Sequence, residues 1–244
     1  MKIKLLQYSP ISMAIIGARV CYDSFENSDS KVITENNVNY YENIALKEIY
    51  SKNLNNFKEE NEFTILYDEI IGENDKKLIG RLINSGHHSI LEHIYYTFYI
   101  SGISRLSHVQ LIRHRIASYS VQSTRYVLKK ILKNIKTIKD VDKYFVFSPN
   151  IPVEFQREEA YKRVMVLKQL KDNYGNDDLK YLLPENLKTE LVMSMNCREL
   201  RHFLKLRLDR RAHFEIRELA KNIYSVLPDD HKRILFFDIN VEEV

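Results

Sequence analysis

The chain has 244 residues, of which 44% are hydrophobic and 29% charged, and its formal net charge is +4. This composition supports one folded core and excludes a disordered chain, and the absence of an apolar run of about 18 residues excludes a membrane-spanning helix. Two cysteines are too few for a disulfide framework, which predicts a reducing, cytoplasmic location.

The first part of the chain is predicted to be mainly helical. Apolar spacing indicates a helix at residues 11–24 and helical pieces around 40–52 and 60–71. Residues 75–85 have the spacing of a further helix. This helix is expected to stop at Gly86, because glycine readily adopts the left-handed conformation that closes a helix.

The second part mixes strands and helices. Residues 94–100 alternate between two faces and predict a strand that Gly102 breaks, whereas 103–113 predict a helix and 114–126 an ordered loop. The remaining predicted elements are a short strand at 144–147, a helix at 153–174, a helical turn at 178–183, a strand at 187–195 and two helices at 197–208 and 210–227. This order predicts an α+β fold in which a mixed or antiparallel sheet is flanked by helices, in a single domain over residues 1–244.

Positive charge is concentrated in two segments. The window from His93 to Lys139 contains 47 residues, carries nine Lys or Arg and has no Asp or Glu. Residues 198–211 carry six Lys or Arg against two acidic residues. One sign of charge gathered in this way indicates an anionic partner, because like charges repel unless they are neutralised.

Two common kinds of catalytic site are not favoured. Five of the eight histidines lie between 87 and 114, but their neighbours are cationic and Glu92 is the one nearby carboxylate, so no metal site is predicted. Neither Cys21 nor Cys197 has a histidine close in sequence, so both are interpreted as packing residues rather than nucleophiles.

The most specific signal is the string RHRIASYSVQSTRY at 113–126. Arg113, His114 and Arg115 are followed after seven residues by Ser123, Thr124 and Arg125. Hydroxyl groups, backbone N–H groups and guanidinium groups that converge in one loop can bind phosphate without glycines. The string therefore predicts a phosphate cradle.

The same string resembles the signature of the flavin-dependent thymidylate synthases. Three further blocks agree in order, GARVCYDS at 17–24, SGHHSILEH at 85–93 and LPENLKTELVMSMNCRELRHFLKLRLDRRAHFEI at 183–216. The segment 25–80 is longer than this resemblance leads us to expect between the first two blocks and is interpreted as an insertion.

The resemblance implies an enzyme that converts dUMP to dTMP. Methylenetetrahydrofolate would be the carbon donor, FAD the hydride carrier and NADPH the reductant of the flavin. The protein would be a homotetramer that shares each flavin site between subunits. A cysteine nucleophile is not needed in this scheme, because the cofactor carries the hydride chemistry and the protein supplies positioning and charge.

The resemblance also assigns site residues, with Arg207 as the catalytic residue. Arg207 would lie against the uracil carbonyl and N3 and favour the ionised pyrimidine. The residues assigned to FAD are His87, Ser89, Glu92, Arg113, His114, Arg115, Asn196, Arg198 and His202. The residues assigned to dUMP are Gln110, Arg113, Val121, Gln122, Ser123, Thr124, Arg125, Lys180 and Arg207.

Three of these positions depart from the family pattern. Val121 stands where an acidic or amide side chain is frequent, so only its backbone could contribute. Lys180 stands where an arginine is common and loses the bidentate fork of a guanidinium group. His202 replaces an asparagine of some members but remains a polar donor.

Two other functions remain open at this level. A run of nine positive charges with tyrosines nearby could follow the backbone of a nucleic acid, although no pattern of a groove-reading helix is present. The chain could also be a structural protein with a solvated basic face. The family resemblance instead predicts no nucleic acid and no membrane among the partners.

Overall fold

The computed structural model describes residues 1–30 and 71–241. The described α-helices are α1 (Ser12–Cys21), α2 (Glu73–Asn84), α3 (Arg105–Leu111), α4 (Thr124–Asn134), α5 (Val153–Leu170), α6 (Asn176–Leu179), α7 (Cys197–Arg207), α8 (Phe214–Ser225) and α9 (Asp229–Leu235). The described strands are β1 (Lys2–Tyr8), β2 (Tyr95–Ser104), β3 (Ala117–Val121) and β4 (Lys188–Asn196). Among these helices, none is both long enough and apolar enough to cross a membrane. The helical piece predicted at 40–52 lies outside the described residues, and so does the piece at 60–71 apart from Ile71. Most of the segment interpreted as an insertion, 25–80, also lies outside them.

The described strands form one antiparallel sheet in the order β1-β2-β4-β3. The central pair is in register from Tyr95 opposite Asn196 to Ser104 opposite Lys188, with a bulge between Ser101 and Ile103. Gly102 lies in this bulge with a φ of +78°, a conformation that costs glycine nothing. The prediction that Gly102 ends the strand is therefore wrong, because the chain bends there and continues pairing.

The two faces of the sheet differ in polarity. One face carries buried apolar side chains such as Phe98 and Met193, which join a core shared with α1, α2, α7, α8 and α9. The opposite face is polar and partly exposed: Thr97 and Ser194 share a hydrogen bond of 2.9 Å across the central pair. The alternation of residues along β2 accounts for this division, because successive side chains point to opposite faces.

A second apolar cluster holds α4 in place. Leu128 and Leu132 of α4 are buried in one cluster with Val164 and Leu167 of α5. Phe145 belongs to the same cluster and forms an isolated bridge with Leu187, just before β4. This cluster fixes the start of α4 relative to β4, and therefore the position of the phosphate cradle predicted from the sequence.

A buried ion pair joins α1 to α2. Arg19 Nη2 lies 2.5 Å from the carboxylate of Asp75, which also accepts hydrogen bonds from the hydroxyls of Ser28 and Ser30. Buried charges are stable when they are paired and fully hydrogen-bonded, as these are. After α2 the chain turns at Gly86, whose φ is +79°, so the predicted helix stop is confirmed.

Most predicted elements agree with the structure, including the α+β class, but two differ besides the strand that continues past Gly102. Residues 144–147 form a single bridge rather than a strand, and residues 114–126 contain β3 and the start of α4 rather than a loop. The helix α4 and the terminal elements β1 and α9 were not predicted. The strand β3 is short and lies at the sheet edge: Ala117, Tyr119 and Val121 pack against the core and Ser118 and Ser120 are exposed, so its alternation spans only five residues.

Candidate active site

The junction between β4 and α7 introduces a carboxylate into the interior. Asn196 precedes α7, and its side-chain oxygen accepts a hydrogen bond of 2.9 Å from the backbone N–H of Glu199. An asparagine at this position satisfies one of the free donors of a helix start. Because the cap fixes the first helical turn, the side chain of Glu199 is held in place and is buried.

The connection between α3 and β3 presents the Arg113-His114-Arg115 string. The Tyr119 hydroxyl donates to the carbonyls of Leu111 and His114, at 3.1 and 2.8 Å. Burial, and secondarily the charge of Glu199, raises the pKa of Tyr119 to about 12. The hydroxyl therefore stays protonated and holds this connection closed.

His114 joins the two segments. Its Nδ1 lies 2.9 Å from Glu199 Oε1, and its Nε2 accepts a hydrogen bond of 3.1 Å from Arg207 Nε. Arg207 Nη2 also donates to the carbonyl of Gln110 at 3.1 Å. Because Nε2 must be unprotonated to accept from a guanidinium group, the proton of the neutral ring lies on Nδ1 and points at Glu199.

The electrostatics favour the neutral form of this ring. Burial lowers the pKa of His114, and the Arg207 charge adds to this, although the hydrogen bond to Glu199 acts in the opposite direction. The pKa of Arg207 is lowered by burial and by the charge of Arg113. Arg207 is bonded to His114 and Gln110, so the two cationic segments meet although they lie far apart in the sequence.

A metal ion is not favoured at this meeting point. Within the described part of the chain, His114, Glu199 and His202 each offer one ligand atom within 4.8 Å of the others. However, both ring nitrogens of His114 already have partners, and one of these partners is the Arg207 guanidinium group. A cation beside the ligand atoms opposes the binding of another cation.

Most of the residues assigned to FAD have exposed side chains. Arg198 forms an ion pair of 2.5 Å with Glu92. The His202 ring lies 5.6 Å from the His114 ring, between centroids, and His87 Nδ1 lies 3.4 Å from the Tyr22 hydroxyl. Among the nine assigned residues the exposed ones are His87, Ser89, Glu92, Arg113, Arg115, Arg198 and His202. His114 and Asn196 are buried.

The residues assigned to the nucleotide phosphate lie at the start of α4. Ser123 immediately precedes this helix, and Thr124 and Arg125 form its first turn. Asp177 bridges two cations, with Arg125 at 2.8 Å and Lys180 at 2.9 Å. We use the name phosphate cradle for Ser123, Thr124, Arg125 and Lys180, which the structure brings together.

Two other residues assigned to dUMP are turned towards the sheet. The side chain of Gln122 donates to Glu190 Oε1 at 2.5 Å, and its backbone N–H donates to the Glu190 carbonyl at 2.8 Å. Val121 is the last residue of β3 and is half-buried. The side chain and the backbone N–H of Gln122 are therefore both bonded to Glu190, and Val121 belongs to the sheet.

Three residues that shape the site were missed from the sequence, namely Glu199, Glu190 and Asp177. A signal existed for Glu199, because Asn196 followed three residues later by a glutamate is the pattern of a capped helix start. Glu190 and Asp177 contact their partners across 68 and 52 positions of the chain. Contacts at this separation have no local sequence pattern.

Comparison with known proteins identifies relatives along nearly the whole chain. The family described as "Thymidylate synthase complementing protein" matches residues 4–230. The flavin-dependent thymidylate synthase of Wolinella succinogenes is 34% identical over 248 residues, which cover 99% of this chain and 100% of that protein. The flavin-dependent thymidylate synthase of Campylobacter jejuni is 34% identical over 239 residues, with coverage of 96% and 95%.

Solved structures give the same result. A crystal structure of the Helicobacter pylori flavin-dependent thymidylate synthase, complexed with FAD and dUMP, aligns with a TM-score of 0.74 and 32% identity. The alignment covers 98% of this chain and 99% of that one. The site geometry, the matching family and these relatives together show that the chain belongs to the flavin-dependent thymidylate synthases.

Proposed function

We propose that this protein converts dUMP to dTMP with methylenetetrahydrofolate as carbon donor, FAD as cofactor and NADPH as reductant. The observation that carries the proposal is the position of Arg207, held between His114 and the Gln110 carbonyl where the two cationic segments meet. All four ligands are anions, so a site of this charge suits them. The similarity to enzymes named for this activity supports the same function.

The residues present fit a flavin. Seven of the nine residues assigned to FAD have exposed side chains, and most of these can donate hydrogen bonds to phosphate and hydroxyl oxygens. His87, Ser89, Arg198 and His202, together with Arg113 and Arg115, would hold the cofactor. The hydride chemistry is supplied by FAD when it is bound, while the protein provides orientation and charge.

The nucleotide would be held at both ends. The phosphate cradle offers the hydroxyls of Ser123 and Thr124 and the charges of Arg125 and Lys180 to the dUMP phosphate. Arg207 would face the uracil ring and stabilise the negative charge that activates C5. A preorganised cation at such a position acts more strongly than in water, because the site is partly closed to solvent.

We also propose that the site is shared between copies of the chain in a homotetramer. On α3 and just after it, an exposed apolar stripe lies beside the site, formed by Leu106, Val109, Ile112 and Ile116. An apolar stripe next to an anion site is typical of a surface that another subunit covers. The unpaired cysteines, Cys21 and Cys197, are compatible with the reducing cytoplasm that we propose as the location.

The visible spectrum of the purified protein tests the proposal. We expect the absorbance of oxidised flavin, its loss on addition of NADPH under anaerobic conditions, and a spectral change on addition of dUMP. Formation of dTMP from dUMP and methylenetetrahydrofolate then completes the test. A colourless protein that retains RNA at moderate salt and forms no dTMP would contradict the proposal and favour a nucleic-acid-binding module.

A further inference from the structure

We infer that Glu199 is a positioning residue for this reaction, because it orients His114, which in turn holds the guanidinium group of Arg207. This inference rests on the proposed function. We call Glu199, His114 and Arg207 the relay. The relay spans three parts of the chain, since Glu199 and Arg207 lie at opposite ends of α7 and His114 follows α3.

The direction of the relay follows from its two hydrogen bonds. Arg207 can only donate, so His114 Nε2 must accept from it at 3.1 Å. The ring proton then lies on Nδ1, where Glu199 Oε1 accepts it at 2.9 Å. A carboxylate that accepts from one ring nitrogen fixes the tautomer and the orientation of the whole ring.

Burial indicates that Glu199 and His114 act through Arg207 rather than by contact with a ligand. His114 is 3% exposed and Glu199 is 8% exposed, whereas Arg207 is only half-buried. Both nitrogens of His114 are occupied by protein groups. The similarity to the family assigns His114 to the flavin, but within the described chain its polar atoms face Glu199 and Arg207.

Without Glu199, the ring of His114 loses the partner that selects its tautomer. Nε2 could then carry the proton and present an N–H group to Arg207, and two donors cannot form a hydrogen bond. Of the two hydrogen bonds described above, Arg207 would retain the one to the Gln110 carbonyl. A guanidinium group held by one bond instead of two is less precisely oriented, and small misplacements at a reacting centre are costly.

Two substitutions of Glu199 separate this role from simple packing. We expect Glu199→Ala to lower kcat about tenfold with FAD content unchanged. A tenfold loss is the lower end of the range found for groups that orient the metal-binding side chains of other enzymes. We expect Glu199→Gln to recover activity to within about threefold, because an amide oxygen can accept the same hydrogen bond from Nδ1. The matched control is Glu218→Gln at an exposed position of α8, which should leave kcat unchanged.

A double-mutant cycle tests whether Glu199 acts through Arg207. In an Arg207→Lys background, which retains charge but has a different shape, Glu199→Ala should cost less than about twofold. The same tenfold loss in both backgrounds would overturn the inference, as would wild-type kcat in Glu199→Ala. Either result leaves the proposed function intact, whereas a wild-type protein that forms no dTMP contradicts the function itself.

A measurement on the wild-type protein covers the case in which Glu199→Ala does not fold. The ¹⁵N chemical shifts of a histidine ring distinguish a protonated from an unprotonated nitrogen. We expect His114, assigned by comparison with a His114→Gln sample, to show a protonated Nδ1 and an unprotonated Nε2 in the holoenzyme near neutral pH. A protonated Nε2 would overturn the inference whatever the variants do.

Discussion

The relay and the phosphate cradle are both built from charged side chains, but they differ in burial and in the way their charges are held. In the relay, His114 and Glu199 are buried and each polar contact is made within the chain. In the cradle, the Arg125 side chain is 59% exposed, and it pairs with an Asp177 side chain that is 46% exposed. The side chains of the relay are therefore held in place before any ligand binds. Those of the cradle are held by exposed ion pairs, which water and salt weaken.

This difference suggests a division of labour in the proposed reaction. Preorganised charges in a partly closed site stabilise a transition state, because they need no rearrangement as the reaction proceeds. Exposed ion pairs contribute about 0.2–1 kcal/mol each and are easily exchanged for another anion. We therefore expect changes in the relay to affect kcat and changes in the cradle to affect KM for dUMP.

Replacing Arg207 is expected to have the largest effect. Arg207→Ala removes the cation that faces the pyrimidine, and loss of one charge-stabilising donor typically lowers kcat by about 10²–10³. Steady-state formation of dTMP measures this loss, and thermal unfolding checks that the protein stays folded. The control is Arg211→Ala in the same basic cluster, where the side chain is 91% exposed and pairs with Asp209. Near-normal turnover in Arg207→Ala would remove Arg207 from the mechanism.

Replacing Arg125 tests the other side of the comparison. Arg125→Ala removes one of two cations in the cradle, so we expect KM for dUMP to rise about tenfold while kcat changes less than about twofold. This pattern is expected when a group binds substrate and transition state equally. Lys129→Ala, an exposed position on the same helix, is the matched control. A fall in kcat at unchanged KM would show that the cradle takes part in the chemical step.

The sequence predicted the cradle better than the relay, and the reason is physical. Ser123, Thr124 and Arg125 of the cradle are consecutive residues, so a local motif brings these three together whatever the rest of the fold does. The prediction that a second basic cluster meets this motif depended on the family resemblance. The contact between Arg207 and His114 spans 93 positions, and only the packing of α7 beside α3 creates it.

The errors in the fold have a related cause. The alternation in β2 was visible because one of its faces is fully buried, with Tyr96 and Phe98 at 0% exposure. The edge strand β3 also alternates, but it has only five residues and none of them is fully buried, so its pattern was too short to be distinguished from a loop. Residues 144–147 have the apolar composition of a strand, but Phe145 instead packs in the second cluster and forms a single bridge with Leu187, just before β4. The apolar composition of residues 144–147 therefore predicted the burial of Phe145 correctly and its pairing as part of a strand incorrectly.

Replacing Asp177 is expected to have the smallest effect and to act in the opposite direction. The pKa of Asp177 is lowered by Arg125 and by Lys180, so Asp177 is ionised and occupies both cations at 2.8 and 2.9 Å. A dUMP phosphate must displace this carboxylate, and we expect Asp177→Asn to lower KM for dUMP about two- to fivefold, the range of an exposed ion pair. The change should shrink at high salt, because screening weakens both the pair and its competitor.

The control for this variant is Asp172→Asn, where an 81% exposed side chain lies 4.0 Å from Lys171. A rise in KM for Asp177→Asn would mean that Asp177 holds Arg125 and Lys180 in place for the phosphate rather than competing with it. The cradle would then be preorganised by an ion pair, as the relay is by Glu199. The relay and the cradle would then differ in exposure alone. The sign of the change in KM for dUMP therefore decides whether the cradle is ordered before the nucleotide binds or by the nucleotide itself.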